Sequence, residues 1–135
     1  MDKENFGFLT VRTYTAGGAL PVEGSIVLIK GAEESNTDFR LSLITDRSGL
    51  TKKAFLPAPV GSISLTPGGG EESYASYDVE ITHEGYYPKK IKNVPIFAGI
   101  SATLPVNMLP RSLYDENSER VRMENTVTVT ENEML

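Results

Sequence analysis

Apolar and polar residues alternate along much of this chain, most clearly in its second half. In Tyr77–His83 every second residue is apolar, and this period of two places one face of a β-strand in a core and the other in solvent. Glu84-Gly85 follows as a turn, because glycine adopts positive φ without a Cβ clash. Pro88 biases the residue before it toward extended backbone, so a second strand, Tyr87–Val94, is predicted directly after the turn.

The same pattern predicts seven short strands. They are Phe8–Tyr14, Ser25–Lys30, Phe39–Thr45, Leu50–Leu56, Tyr77–His83, Tyr87–Val94 and a last strand that Gly99 opens and Pro110 ends. Phe39–Thr45 and Leu50–Leu56 are predicted to form a hairpin around the turn Asp46–Gly49. A short apolar piece, Ser62–Leu65, precedes a glycine-rich loop. No window of this region has apolar residues at helical spacing, so we predict an all-β fold, a seven-stranded antiparallel β-sandwich.

Charge divides the chain into a nearly neutral body and an acidic tail. Residues 1–112 hold 12 acidic and 11 basic residues, whereas residues 113–135 hold 6 acidic and 2 basic residues. We therefore expect a polar lead (1–6), a sandwich domain (7–110) and an acidic tail (111–135). Disorder is expected over most of the tail; the alternative is that Thr126–Thr130, which has high β propensity, adds an edge strand. No basic stripe is present, which argues against nucleic-acid binding.

Neither the cysteine content nor the N-terminus indicates export. Cysteine is absent, so a disulfide framework and thiolate metal sites are excluded. The N-terminus lacks the basic start and apolar stretch of a signal peptide, and no apolar run is long enough to span a bilayer. We expect cytoplasmic synthesis without a signal peptide and no membrane span; the oligomeric state stays open.

Candidate catalytic and metal-binding residues are few. His83 is the single histidine of the chain, and one histidine without convergent partners neither builds a histidine metal site nor completes a Ser-His-Asp relay. Glu33-Glu34 with Asp38, and Glu71-Glu72, do not have the spacing of a calcium loop and are interpreted as solvated loop acids. We therefore predict no catalytic residue, no metal site and no cofactor.

One cluster combines aromatic and basic residues. It comprises Tyr86, Tyr87, Lys89, Lys90 and Lys92. Stacking and charge could bring an acidic or glycan surface to it. The alternative, which we favour from the sequence, is an edge strand whose lysines prevent edge-to-edge pairing.

Several short motifs resemble a known family. They are Gly7-Phe8-Leu9-Thr10-Val11, Pro21-Val22, Gly24 to Ile29, Thr45-Asp46 with Gly49, Leu56-Pro57-Ala58-Pro59, Tyr77 with Val79, and Gly85-Tyr86. The pattern resembles the carboxypeptidase regulatory-like domains, which have a transthyretin-like (prealbumin-like) sandwich, over roughly residues 7–109. Within that group, the Leu56–Pro59 segment, Tyr77-Asp78-Val79 and the closing Pro105–Pro110 are similar to the N-terminal domain of clostridial spore cortex-lytic enzymes.

The resemblance implies a non-catalytic structural or interaction module of a bacterial spore or cell-envelope system, presenting loops and an edge strand to a protein or peptidoglycan partner. An alternative is an inhibitory or folding-assisting domain that acts on a cell-wall lytic enzyme. A third, a hydrolase of the transthyretin-related type, would need the several histidines and the C-terminal Tyr-Arg-Gly-Ser of that family. This chain has one histidine and ends Glu133-Met134-Leu135, so that activity is not expected.

Overall fold

The structure is a computed structural model that describes residues 5–59 and 73–111, together with the backbone of residues 126–128. Its strands are β1 (Phe6–Thr15), β2 (Leu20–Pro21), β3 (Ile26–Gly31), β4 (Arg40–Ile44), β5 (Ala54–Pro57), β6 (Ala75–Thr82), β7 (Lys89–Ile96), β8 (Ser101–Asn107) and β9 (Thr126–Thr128). Among the described residues, Glu34–Asn36 forms a 3-10 turn, and Ala16–Gly18 forms a tight turn in which all three residues have positive φ. The predicted segment Ser62–Leu65, the glycine-rich loop and most of the acidic tail lie outside the described residues.

The strands form two sheets. In the smaller sheet β1 pairs with β8 along one side, and with β5 and β2 along the other. The larger sheet has the order β4-β3-β6-β7-β9. The predicted all-β sandwich is confirmed. Its pairs are antiparallel except for β1 with β8 and β7 with β9, which are parallel. A parallel pair needs a long connection between its strands, and most of the described chain lies between β1 and β8.

The hairpin predicted from Phe39–Thr45 and Leu50–Leu56 is wrong. β4 pairs with β3 in the larger sheet, whereas β5 pairs with β1 in the smaller sheet. The turn Asp46–Gly49 therefore leads the chain from one sheet to the other, and Thr51 N–H then donates to the Val11 carbonyl oxygen at 2.9 Å. An alternating pattern shows that a strand has one buried face, but it does not say which strand is its partner.

The core lies between the two sheets, and the inward positions predicted from the alternation fill it. The fully buried apolar side chains include those of Leu9, Val11, Val27, Ile29, Leu56, Val79, Ile81, Val94, Val106 and Met108. Tyr77 is the largest of the fully buried side chains. Its phenol donates a hydrogen bond to the Pro57 carbonyl oxygen of the opposite sheet, and its ring packs edge-on against Phe39 at 5.3 Å. Burial raises the pKa of the Tyr77 phenol above its ordinary value of 10.0.

A group of buried hydroxyls joins the sheets at one end of the core. Thr13 Oγ1 and Thr45 Oγ1 both donate to the Val22 carbonyl oxygen, at 2.8 and 2.9 Å. Thr45 Oγ1 also accepts from Ser25 N–H at 2.8 Å, and Ser25 Oγ donates to Thr13 Oγ1 at 3.3 Å. Because buried polar groups are costly unless they are hydrogen-bonded, these contacts fix how β1, the segment before β3 and the end of β4 meet.

Candidate binding site

The turn between β6 and β7 forms part of an open cleft at one end of the larger sheet. The cleft has a volume of about 510 Å³ and is lined by Gly24, Ile26, Thr82, His83, Glu84, Tyr86, Pro88 and Arg111. Gly85 stands at φ 88°, which supports its predicted turn role because glycine adopts this conformation freely. Tyr86 N–H closes the turn by donating to the His83 carbonyl oxygen at 3.1 Å.

His83 connects this turn to the loop that precedes β3. Its Nδ1 lies 2.8 Å from the Glu84 carbonyl oxygen, and its Nε2 lies 2.8 Å from the Glu23 carbonyl oxygen. Its ring also packs edge-on against Tyr86, with 5.2 Å between the ring centroids. Since both ring nitrogens lie against backbone carbonyls, His83 links the turn to the loop before β3 and holds the cleft wall in place.

The two tyrosines of the predicted cluster have different environments. Tyr86 is half-buried and lines the cleft, whereas Tyr87 is 3% exposed and belongs to the interior. Tyr87 N–H donates to the Leu109 carbonyl oxygen at 2.9 Å, and the Arg111 guanidinium carbon lies 4.9 Å from the Tyr87 ring centroid. Tyr87 therefore anchors the chain that follows β8, and only Tyr86 offers a ring to the surface.

The lysines follow the predicted alternation along β7. Lys90 and Lys92 are exposed, and Ile91 between them is 6% exposed. They lie beyond Pro88 and do not line the cleft. In register, Lys90 is opposite Glu80, and the backbone of Lys90 to Lys92 pairs with Thr126–Thr128 of β9. The interpretation of these lysines as guards of a free strand edge is therefore wrong, because the tail strand occupies that edge.

Arg111 completes the candidate site, and sequence reasoning did not find it. Its N–H donates to the Gly85 carbonyl oxygen at 2.8 Å, which draws the chain after β8 across the turn. The side chain is exposed at the rim of the cleft. An isolated arginine just after a predicted strand has no local pattern that marks it, and the three-dimensional pairing with Gly85 brings it to the cleft.

Among the described residues, no three side chains of His, Asp and Glu are grouped as metal ligands would be. Glu33 instead caps a 3-10 turn with Asn36, and Glu71-Glu72 lie outside the described residues. None of the helices in the described part of the chain is long and apolar enough to cross a bilayer.

The sequence matches no family model and no curated protein. The similarity found is to solved structures. The Bacillus anthracis TIE protein superposes with a TM-score of 0.51 at 17% identity, covering 78% of this chain and 17% of that chain. Catechol 1,2-dioxygenase from Pseudomonas arvilla C-1 gives 0.52 at 16% identity, covering 82% and 54%. The mercury-inhibited catechol 1,2-dioxygenase from Acinetobacter sp. ADP1 gives 0.52 at 14%, covering 81% and 54%.

These likenesses concern the fold. The chain spans less than two thirds of each of these proteins, and at such low identity the shared property is the all-β sandwich. The dioxygenase matches are therefore no positive indication of enzymatic activity in this chain, since one fold hosts many unrelated functions.

Proposed function

We propose that this chain is a non-catalytic interaction module of a bacterial spore or cell-envelope system that presents the β6–β7 end of the larger sheet to a protein or peptidoglycan partner. The single observation that supports this proposal is the cleft that both the half-buried Tyr86 and the exposed Arg111 line. The spore or envelope setting is proposed from the resemblance to the N-terminal domain of cortex-lytic enzymes.

The chemistry of this end favours binding. A tyrosine ring contributes apolar contact area with a polar tip, and arginine recognises carboxylates through two parallel hydrogen bonds. Lys90 and Lys92 add two exposed positive charges on β7 beyond the cleft, with Glu80 opposite Lys90. Because His83 is held between two carbonyls, its contribution to this site is rigidity.

A paired capture experiment tests the proposal. The full chain is incubated with purified peptidoglycan sacculi and, separately, is immobilised and exposed to proteins of a lysate. We expect saturable binding to one of these partners, weakening as salt rises because exposed charges are screened over about 8–10 Å at physiological ionic strength.

The double variant Lys90→Gln plus Lys92→Gln should weaken that binding at least tenfold, and Arg111→Gln should do the same. The melting temperature should change little, since all three side chains are exposed. The matched control is Arg40→Gln plus Arg47→Gln, which removes two exposed positive charges that lie outside the cleft. Failure of the wild-type chain to bind either partner, or wild-type binding by the first two variants, would refute the proposal.

A further inference from the structure

The outer face of the smaller sheet is a second surface with its own chemistry. Leu9, Val11 and Thr13 of β1 are buried, so the alternate residues of β1 face outward. These outward residues are Phe6, Phe8, Thr10, Arg12 and Tyr14. The β8 residues in register beside them, Ser101, Thr103, Pro105 and Asn107, are all exposed.

Two aromatic rings on this face each have a cationic side chain close to the ring. At one end, Lys53 Nζ lies 5.4 Å from the Phe8 ring centroid, and the 58% exposed Phe55 packs edge-on against Phe8 at 5.0 Å. At the other end, the Arg12 guanidinium carbon lies 5.1 Å from the Tyr14 ring centroid. Phe8 and Tyr14 are six residues apart on one strand, which places the two ring–cation pairs about 20 Å apart.

The charge of this face differs from that of the whole chain. The strands β1, β2, β5 and β8 contain no Asp or Glu, although the chain has a net charge of −5. The larger sheet, by contrast, mixes its charges, as in the Lys30–Glu80 ion pair of 2.9 Å. Arg12 of β1 and Lys53, the residue before β5, are therefore cations on or next to strands that hold no carboxylate.

We propose that the outer face of the smaller sheet binds a linear anionic glycan, with sugar rings laid along β1 and carboxylates at the two ring–cation pairs. Two similar ring–cation pairs along one strand match a polymer in which the same sugar and carboxylate recur at regular intervals. Between the two pairs, Thr10 and Thr103 present hydroxyls. A protein-binding surface would instead have apolar residues at its centre. Aromatic rings contact the apolar faces of sugars, and the cations pair with carboxylates.

Three soluble polymers test this inference on the full chain: polygalacturonate, which carries a carboxylate on each sugar, neutral dextran, and poly-L-glutamate. We expect polygalacturonate to bind with an affinity that falls as salt rises, and the other two polymers to bind at least tenfold more weakly. Arg12→Gln plus Lys53→Gln should lose at least tenfold in affinity for polygalacturonate. Phe55→Ala should lose several-fold.

The control is Arg40→Gln plus Arg47→Gln, which removes the same charge from exposed positions outside both surfaces and should bind polygalacturonate as the wild type does. The proposed function is tested on Lys90, Lys92 and Arg111, so the inference and the proposed function can fail independently. Equal binding of poly-L-glutamate would assign the face to acidic peptides and overturn the inference. So would absent polygalacturonate binding, or equal losses in both double variants. If the Arg12 change lowers the melting temperature, Lys53→Gln alone takes the place of the double variant and should still weaken polygalacturonate binding, since Lys53 is exposed.

Discussion

Thr45 and Thr13 donate to the same carbonyl oxygen, yet we expect their replacement by valine to have unequal effects. Thr45→Val removes the acceptor of Ser25 N–H, which stands at 2.8 Å and is buried. Thr13→Val removes a donor to the Val22 carbonyl oxygen, but that oxygen keeps its hydrogen bond from Thr45 at 2.9 Å. Valine has nearly the shape of threonine, so both changes test hydrogen bonding with little change in packing.

The magnitudes follow from which groups are left without a partner. A buried backbone N–H that loses its acceptor costs about 1–3 kcal/mol, and each intact hydrogen bond contributes about 1 kcal/mol net. Thr45→Val loses one bond as donor and leaves Ser25 N–H unsatisfied, so we expect about 2–4 kcal/mol. Thr13→Val loses the 2.8 Å bond to Val22 and a weaker one of 3.3 Å from Ser25 Oγ. The Ser25 hydroxyl, unlike a backbone N–H, can rotate about its C–O bond, so we expect about 1 kcal/mol.

Urea unfolding measures this difference. The chain has 6 tyrosines and no tryptophan, so far-UV circular dichroism and tyrosine fluorescence are the suitable signals. With a slope of about 1–3 kcal/mol per molar urea, Thr45→Val should lower the midpoint by about 1 M and Thr13→Val by less than half as much. Thr82→Val, at an exposed position of β6, is the control and should be nearly silent. Equal losses at 45 and 13, with unchanged slopes, would refute the reasoning.

Two further predictions concern a turn and the core. Gly49→Ala should lower the melting temperature far more than Gly85→Ala does. Both glycines have positive φ, but a Cβ at Gly49 would stand 2.3 Å from the Thr13 carbonyl oxygen, whereas nothing lies within 4 Å of a Cβ at Gly85. Similar melting temperatures for the two variants would contradict this. Because burial raises the Tyr77 pKa above 10.0, the stability linked to its protonated phenol is present below that pH and is lost as pH rises further. Tyr77→Phe should therefore lose less stability than the wild type as pH rises above 10.0, and parallel losses in both proteins would contradict the assignment.

The fold was predictable to the level of single strands, because a half-buried strand needs one apolar face. The alternation of Tyr77, Val79 and Ile81 predicts their burial, and all three have no exposed surface. Partner choice was not predictable in the same way. Leu50–Leu56 has the right period for a hairpin with the strand before it, but the turn between them carries the chain to β1 instead. The buried Thr45 is marked by no pattern, since threonine suits either face of a strand.

The candidate site was predictable only in part. Sequence proximity grouped Tyr86 with Tyr87, but adjacent residues of an extended chain face opposite sides, and Tyr87 is buried. Arg111 is distant in sequence and reaches the turn through its hydrogen bond to Gly85. The aromatic and basic residues of β1 looked unremarkable because Phe8 and Arg12 are ordinary outward positions. Their common face becomes visible only when β5 brings Lys53 and Phe55 beside it.

The parallel pairing of β1 with β8 also determines how the domain bears mechanical load. The ladder aligns residues from Phe8 with Ser101 to Tyr14 with Asn107. Tension applied to the start of β1 and the end of β8 pulls two parallel neighbours in opposite directions along their length. The hydrogen bonds between them are then strained together in shear instead of opening one after another from an end. A module tethered in this way would resist extension up to a high rupture force and then fail in one step.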